Sequence, residues 1–269
     1  MFILASAAGV LGLRIVHSWI AHWIPIEWRE LAFVLVMTGG LLIGHAWTFH
    51  LVDARGWDFV GLGRQGWRTH AIVVSAIVGA LAIAVPVAIL LLPGWLAFVP
   101  AEPGASLGAA ERSLAVLIPA ALWEELFVRG YAYAVVRERW GPSTAIGVTS
   151  LFFGVMHYLN QGASVQAVLI VCLAGLFLGA IRETMRSLYA AWAAHLAWNA
   201  VLVVLLHATV SGIVMASPDY KLVEHGPDWA TGGAWGPEGG VFAAAGLALA
   251  TWYVLWRQSR RRSEGDTGA

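Results

Sequence analysis

The sequence predicts an all-α, polytopic integral membrane bundle with about eight transmembrane helices and a four-helix core. Three observations predict it. Hydrophobic residues make up 59% of the chain and charged residues only 12%, against about 25% charged in soluble proteins. Apolar runs of spanning length recur along the chain, and a spanning helix needs roughly 20 such residues. Basic residues fall mostly in alternate connecting segments, as the positive-inside rule requires of a multi-spanning protein.

The expected spans are, in order, 2–24, 30–52, 71–99, 113–136, 143–159, 165–181, 187–207 and 241–256. The first carries Arg14 and His17 and lacks the positively charged start of a signal peptide, so it reads as an imperfect span. The third is long enough to tilt or to bend at Pro86. The segment 208–240 is rich in Gly and Pro turn chemistry, with Trp229 and Trp235 suited to an interface. It reads as an external loop lying on the membrane, with a role as a lid as the alternative. The chain therefore divides into N-terminal helices (1–112), a core (113–207), the loop (208–240), and a last span with a basic tail (241–269).

Eleven of the sixteen basic residues lie in one set of loops: Arg55, Arg64 and Arg68; Arg137 and Arg139; Arg182 and Arg186; and Arg257, Arg260, Arg261 and Arg262. The other set holds only Arg29, Arg112 and Lys221. Eight spans with both termini in the cytoplasm satisfy this asymmetry, in a bacterial inner (plasma) membrane. Net charge is zero and no basic patch is interleaved with aromatics, so nucleic acid is not an expected partner. The single cysteine, Cys172, excludes a disulfide framework within the chain and reads as a small buried hydrophobe.

Three charges sit in the middle of the fourth span, at Glu124, Glu125 and Arg129. Each costs ~2.5–3.5 kcal/mol at mid-helix, so they need partners or a task. Glu125 and Arg129 are i,i+4 neighbours with the acid first, the favourable order. Glu124 points about 100° away. One carboxylate then supports the fold while the other stays available in a low-dielectric cavity, which suits general-base work on a water. His157 shares a helix face with Phe153, and His195 shares one with Asn199. Singly, these read as packing groups; together with the charges they form one polar cluster on nearby helices. His22, His45, His50, His70, His207 and His225 read as interfacial or packing residues, and Trp47, Trp95, Trp140, Trp252 and Trp256 as an aromatic belt.

Glu124-Glu125-x-x-x-Arg129, Phe153-x-x-x-His157 and His195-x-x-x-Asn199, in that order, resemble the motifs of the CPBP family. These are the CAAX-protease and bacteriocin-processing (Abi) intramembrane proteases, which include the type II CAAX prenyl endopeptidases. Phe59-Val60-Gly61-Leu62 with Arg64 also resembles an amphipathic lead-in to a family helix. The resemblance implies an endopeptidase acting on a membrane-associated protein or peptide. Glu124 would be the general base, activating water with His157; His195 and Asn199 would stabilise the oxyanion, and Glu125 and Arg129 would orient the site. It leaves metal open: Glu124, His157 and His195 would be the ligands of a zinc. The residues favour a metal-free reaction, because a glutamate beside an oxyanion donor pair needs none and neither histidine shows a carboxylate behind it. The water path is expected to open to the cytoplasm. A non-catalytic immunity or sorting-system accessory protein and a transporter are the competing classes.

Overall fold

The computed structural model describes residues 15, 18–19, 21–101, 107–215 and 220–266. Most of the expected first span, with Arg14 and His17, lies outside the described residues. Two short 3₁₀ turns lead into α1 (Arg29–Leu51), followed by α2 (Thr69–Leu91). Val73, Ile77, Leu81, Val85 and Ile89 form a stripe on α2, each 45–53% exposed, while Ala71, Ser75, Gly79, Ile83 and Leu90 are buried behind it. An apolar stripe this continuous has no reason to face water, and it fits a lipid-facing surface.

The expected third span, 71–99, ends early. Pro93 and Gly94 follow α2, Gly94 has φ 73°, and Leu96–Pro100 leaves the helix as strand β1. β1 pairs antiparallel with β2 (Tyr220–Glu224), setting Leu96 opposite Glu224 and Pro100 opposite Tyr220. The fold is thus mostly helical rather than all-helical. The expected span 113–136 is likewise divided, into α3 (Leu107–Arg129) and α4 (Tyr131–Trp140). The cause is a long-range contact: His45 Nε2 accepts the Tyr131 N–H at 3.1 Å, diverting an amide that the helix would otherwise use.

The remaining helices are α5 (Pro142–His157), α6 (Val165–Met185), α7 (Leu188–Ala200), the four-residue α8 (Asp228–Thr231) and α9 (Val241–Asp266). Ser164 and Ser187 cap α6 and α7 by accepting the N–H groups of Ala167 and Ala190. A π-helical turn, Val201–Leu205, extends α7. Among the described residues, four segments are long and apolar enough to cross a membrane: Arg29–Leu51, Thr69–Leu91, Val165–Met185 and Leu188–Leu205. α5, with 16 residues, is short for a span, and α3 is diluted by its own charges.

α2 packs on α7, α5 on α6, α9 on both α2 and α6, and α1 on α3. The core lies among α2, α6, α7 and α9, with Ile83, Phe177, Leu202 and Leu247 buried in it. α1 and α3 run parallel: Thr38 donates to the Pro119 carbonyl midway along both, and His45, farther along α1, meets Tyr131 just past the end of α3. The segment expected as a surface loop, 208–240, is more deeply engaged. Trp229 is half exposed, but Trp235 is fully buried against Val128, Phe153 and Val171. It is a core residue rather than an interfacial one.

Candidate active site

α3 brings Glu124 and Glu125 into the bundle on adjacent faces, and the chemistry of the two differs at once. Glu125 and Arg129 are completely buried and paired, Nη1 to Oε1 at 2.9 Å. Arg129 also donates to the Gly175 carbonyl on α6 at 3.3 Å, and its guanidinium lies over the Phe153 ring at 4.3 Å. Burying this pair costs desolvation that the contacts must offset. It ties α3, α5 and α6 together at one point.

His195 Nδ1 meets Glu125 Oε1 at 3.0 Å. His157 Nδ1 meets the Phe153 carbonyl at 2.8 Å. A carbonyl and a carboxylate only accept, so each imidazole carries its proton on Nδ1 when neutral. Both Nε2 atoms then face Glu124, at 3.9 Å from Oε2 for His157 and 3.8 Å for His195. These gaps are too long for direct hydrogen bonds and suit a bridging water. Glu124 keeps a side-chain exposure of 20%, so water can reach it.

His157, His195, Asn199 and Ser211 stand between two spaces. A groove of about 400 Å³ holds Glu124 on its wall, with Trp123, Leu117 and Met215 as apolar lining. An inner chamber of about 40 Å³ lies on the other side, bounded by Phe153, Trp198 and Glu238. That is room for about one or two waters. The groove opens among Arg29 and Glu30 at the start of α1, Asn160 after α5, and Ser211–Met215 after α7. This is the end of the bundle opposite the loops that hold Arg55, Arg137, Arg186 and Arg257.

All six residues singled out from the sequence meet in this region, Asn199 as a wall residue one turn beyond His195. Reading the sequence missed Glu238. Its Oε2 accepts from Trp198 Nε1 at 2.7 Å, and its Oε1 accepts from the Ser211 N–H and hydroxyl at 2.6 and 2.8 Å. Asn160 Nδ2 donates to the Ser211 carbonyl at 3.1 Å. These bonds hold the segment after α7 over the site. The one available signal was an acid placed in a Gly-Pro-Glu-Gly run of an apolar chain.

The carboxylate expected to be missing behind the histidines is present, because Glu125 backs His195. Donor chemistry therefore accommodates zinc: two free imidazole nitrogens, a carboxylate, and a histidine oriented from behind. The spacing does not close around an ion, since no three His, Cys, Asp or Glu side chains among the described residues are grouped to hold one.

Helices of spanning length around a buried carboxylate–histidine cluster define a membrane protein with an enzyme-like polar centre. Residues 106–201 match the family model described as type II CAAX prenyl endopeptidase Rce1-like. No curated protein and no solved structure matches the chain.

Proposed function

We propose that the chain is an intramembrane endopeptidase that hydrolyses a peptide bond in a membrane-associated protein or peptide. The observation that carries this reading is the convergence of Glu124 Oε2 with the Nε2 atoms of His157 and His195 at water-bridging distances. Glu124 takes a proton from the bridging water while Nε2 of His157, locked by Phe153, accepts a hydrogen bond from the hydrogen that stays on the oxygen. The hydroxide adds to the substrate carbonyl carbon, and the carbonyl π electrons move to oxygen. As an imidazolium, His195 keeps Nδ1–H on Glu125 and presents Nε2–H to this oxyanion, beside the Asn199 amide. Collapse breaks the C–N bond, and Glu124 passes its proton to the leaving amine.

Glu125 and Arg129 act by holding His195 and the helices. The family match over 106–201 supports peptide hydrolysis. The eight-span topology, with both termini cytoplasmic, belongs to the same reading. On that topology the groove opens on the non-cytoplasmic side, so the scissile segment is presented there rather than from the cytoplasm.

The test is cleavage of a membrane-anchored reporter peptide by the purified protein in nanodiscs. Glu124→Gln is expected to lower the single-turnover rate by about 10²–10⁴-fold with the fold unchanged. Equal cleavage by the variant would overturn the assignment. Chelation followed by metal analysis separates the zinc and metal-free versions, since only the first loses activity with the metal.

A further inference from the structure

At the arginine-rich end of the bundle is a second cavity of about 310 Å³, separate from the groove. Its floor is Arg182, one turn before the end of α6. Arg182 is only 6% exposed, and its Nε is buried with no hydrogen-bond partner. Its guanidinium faces the Tyr133 ring at 5.5 Å. A buried donor left without a partner is costly.

The loop after α1 builds the roof. Gly61 accepts the Leu188 N–H at 3.0 Å, Gly66 accepts from Ser187 Oγ at 2.6 Å, and Leu62 accepts from Tyr189 at 2.7 Å. Gly61 has φ 73°, and a Cβ there would fall 2.9 Å from Arg182 Cζ. The Phe59–Leu62 motif thus covers Arg182 so closely that only glycine fits at the centre. Arg68 and Arg186 complete the lining, with Arg137. Arg186 has φ 50°, a left-handed C-cap conformation that glycine ordinarily occupies.

The acids do not balance these cations. Glu183 is consumed by a two-point pair with Arg137, at 2.5 and 2.7 Å. Asp58 accepts the Gln65 N–H at 3.0 Å. Arg68, Arg182 and Arg186 therefore outnumber the one remaining carboxylate. Planar guanidinium groups arranged around a polar space match phosphate oxygens.

We infer that the cavity beneath the Phe59–Leu62 roof binds a phosphate group through Arg68, Arg182 and Arg186. Its source is either an anionic phospholipid headgroup or free phosphate. The site does not depend on the peptidase reading.

The test uses the full chain and reads thermal unfolding midpoint. One arm adds phosphatidylglycerol to phosphatidylcholine nanodiscs; the other titrates inorganic phosphate into detergent-purified protein. Wild type is expected to show a saturable rise in at least one arm. A rise with phosphatidylglycerol alone assigns the headgroup, and a rise in the phosphate arm assigns the free anion. Arg186→Gly keeps the helix cap and removes a donor, so the half-saturating concentration should increase by about tenfold with the unliganded midpoint retained. Arg68→Gln should act in the same direction. No rise in either arm, or a response unchanged in both variants, overturns the proposal.

Discussion

At the residue scale the decisive distinction is between two adjacent glutamates. Glu125 is committed to Arg129 and His195, whereas Glu124 has water-accessible surface and two imidazoles at bridging distance. Breaking the committed pair should be severe: Arg129→Leu strands a buried carboxylate and should cost about 3–5 kcal/mol. The double variant with Glu125→Leu should recover part of that loss, measured as thermal or denaturant stability in one detergent. Glu224 offers a different test, outside the spanning segments. Burial is the largest influence on it and raises its pKa, against weaker opposition from hydrogen bonds to Thr231 and Gly233, and its Oε2 has no partner. The folded state therefore holds that proton more tightly than the unfolded chain. The resulting stability is present below the unfolded value of about 4.3 and is lost as pH rises through the raised folded value. Glu224→Gln should flatten that part of the pH–stability curve and raise the midpoint at neutral pH. A curve unchanged by the substitution would show that Glu224 does not titrate in this way.

At the element scale, close helix contact places the histidines. A Cβ on Gly154 would fall 2.2 Å from Cys172 Sγ and 2.9 Å from the Val168 carbonyl, so α5 lies directly on α6. Gly154→Ala should cost about 1–3 kcal/mol and displace the face carrying Phe153 and His157. Adding Cys172→Ala should return part of the stability, because it removes the nearer obstacle and leaves the backbone one. Both effects are readable by thermal unfolding. The helices themselves were legible in the sequence through runs of apolar residues, and the polar cluster through charges that a bilayer does not tolerate idly. Three features were not. Gly130 interrupts an otherwise continuous pattern only because His45, 86 residues away from Tyr131, takes its amide. β1 was hidden inside an apolar run that suits helix or strand equally, and its partner β2 is far along the chain. Glu238 bonds Trp198 across 40 residues, a pairing without any periodic signal.

At the scale of the whole molecule, the two ends of the bundle differ in character. One is rich in arginine, and the other holds the groove, the β1–β2 ribbon and the segment tied down by Glu238. On the proposed topology the arginine-rich end faces the cytoplasm. Cysteine labelling checks this in a Cys172→Ala background. Val214→Cys, 79% exposed beside the groove, should react with a membrane-impermeant maleimide on intact cells. Arg139→Cys should react only after permeabilisation, and the reverse pattern would put the groove on the cytoplasmic side. The locked Nδ1 atoms also bear on the choice of chemical probes. Because Phe153 and Glu125 occupy the rear nitrogen of each ring, an inhibitor in the groove meets only the front edge of both imidazoles beside a carboxylate. A hydrated ketone matches that arrangement: one hydroxyl would serve Glu124 and His157, and the other would lie where His195 and Asn199 can stabilise negative charge.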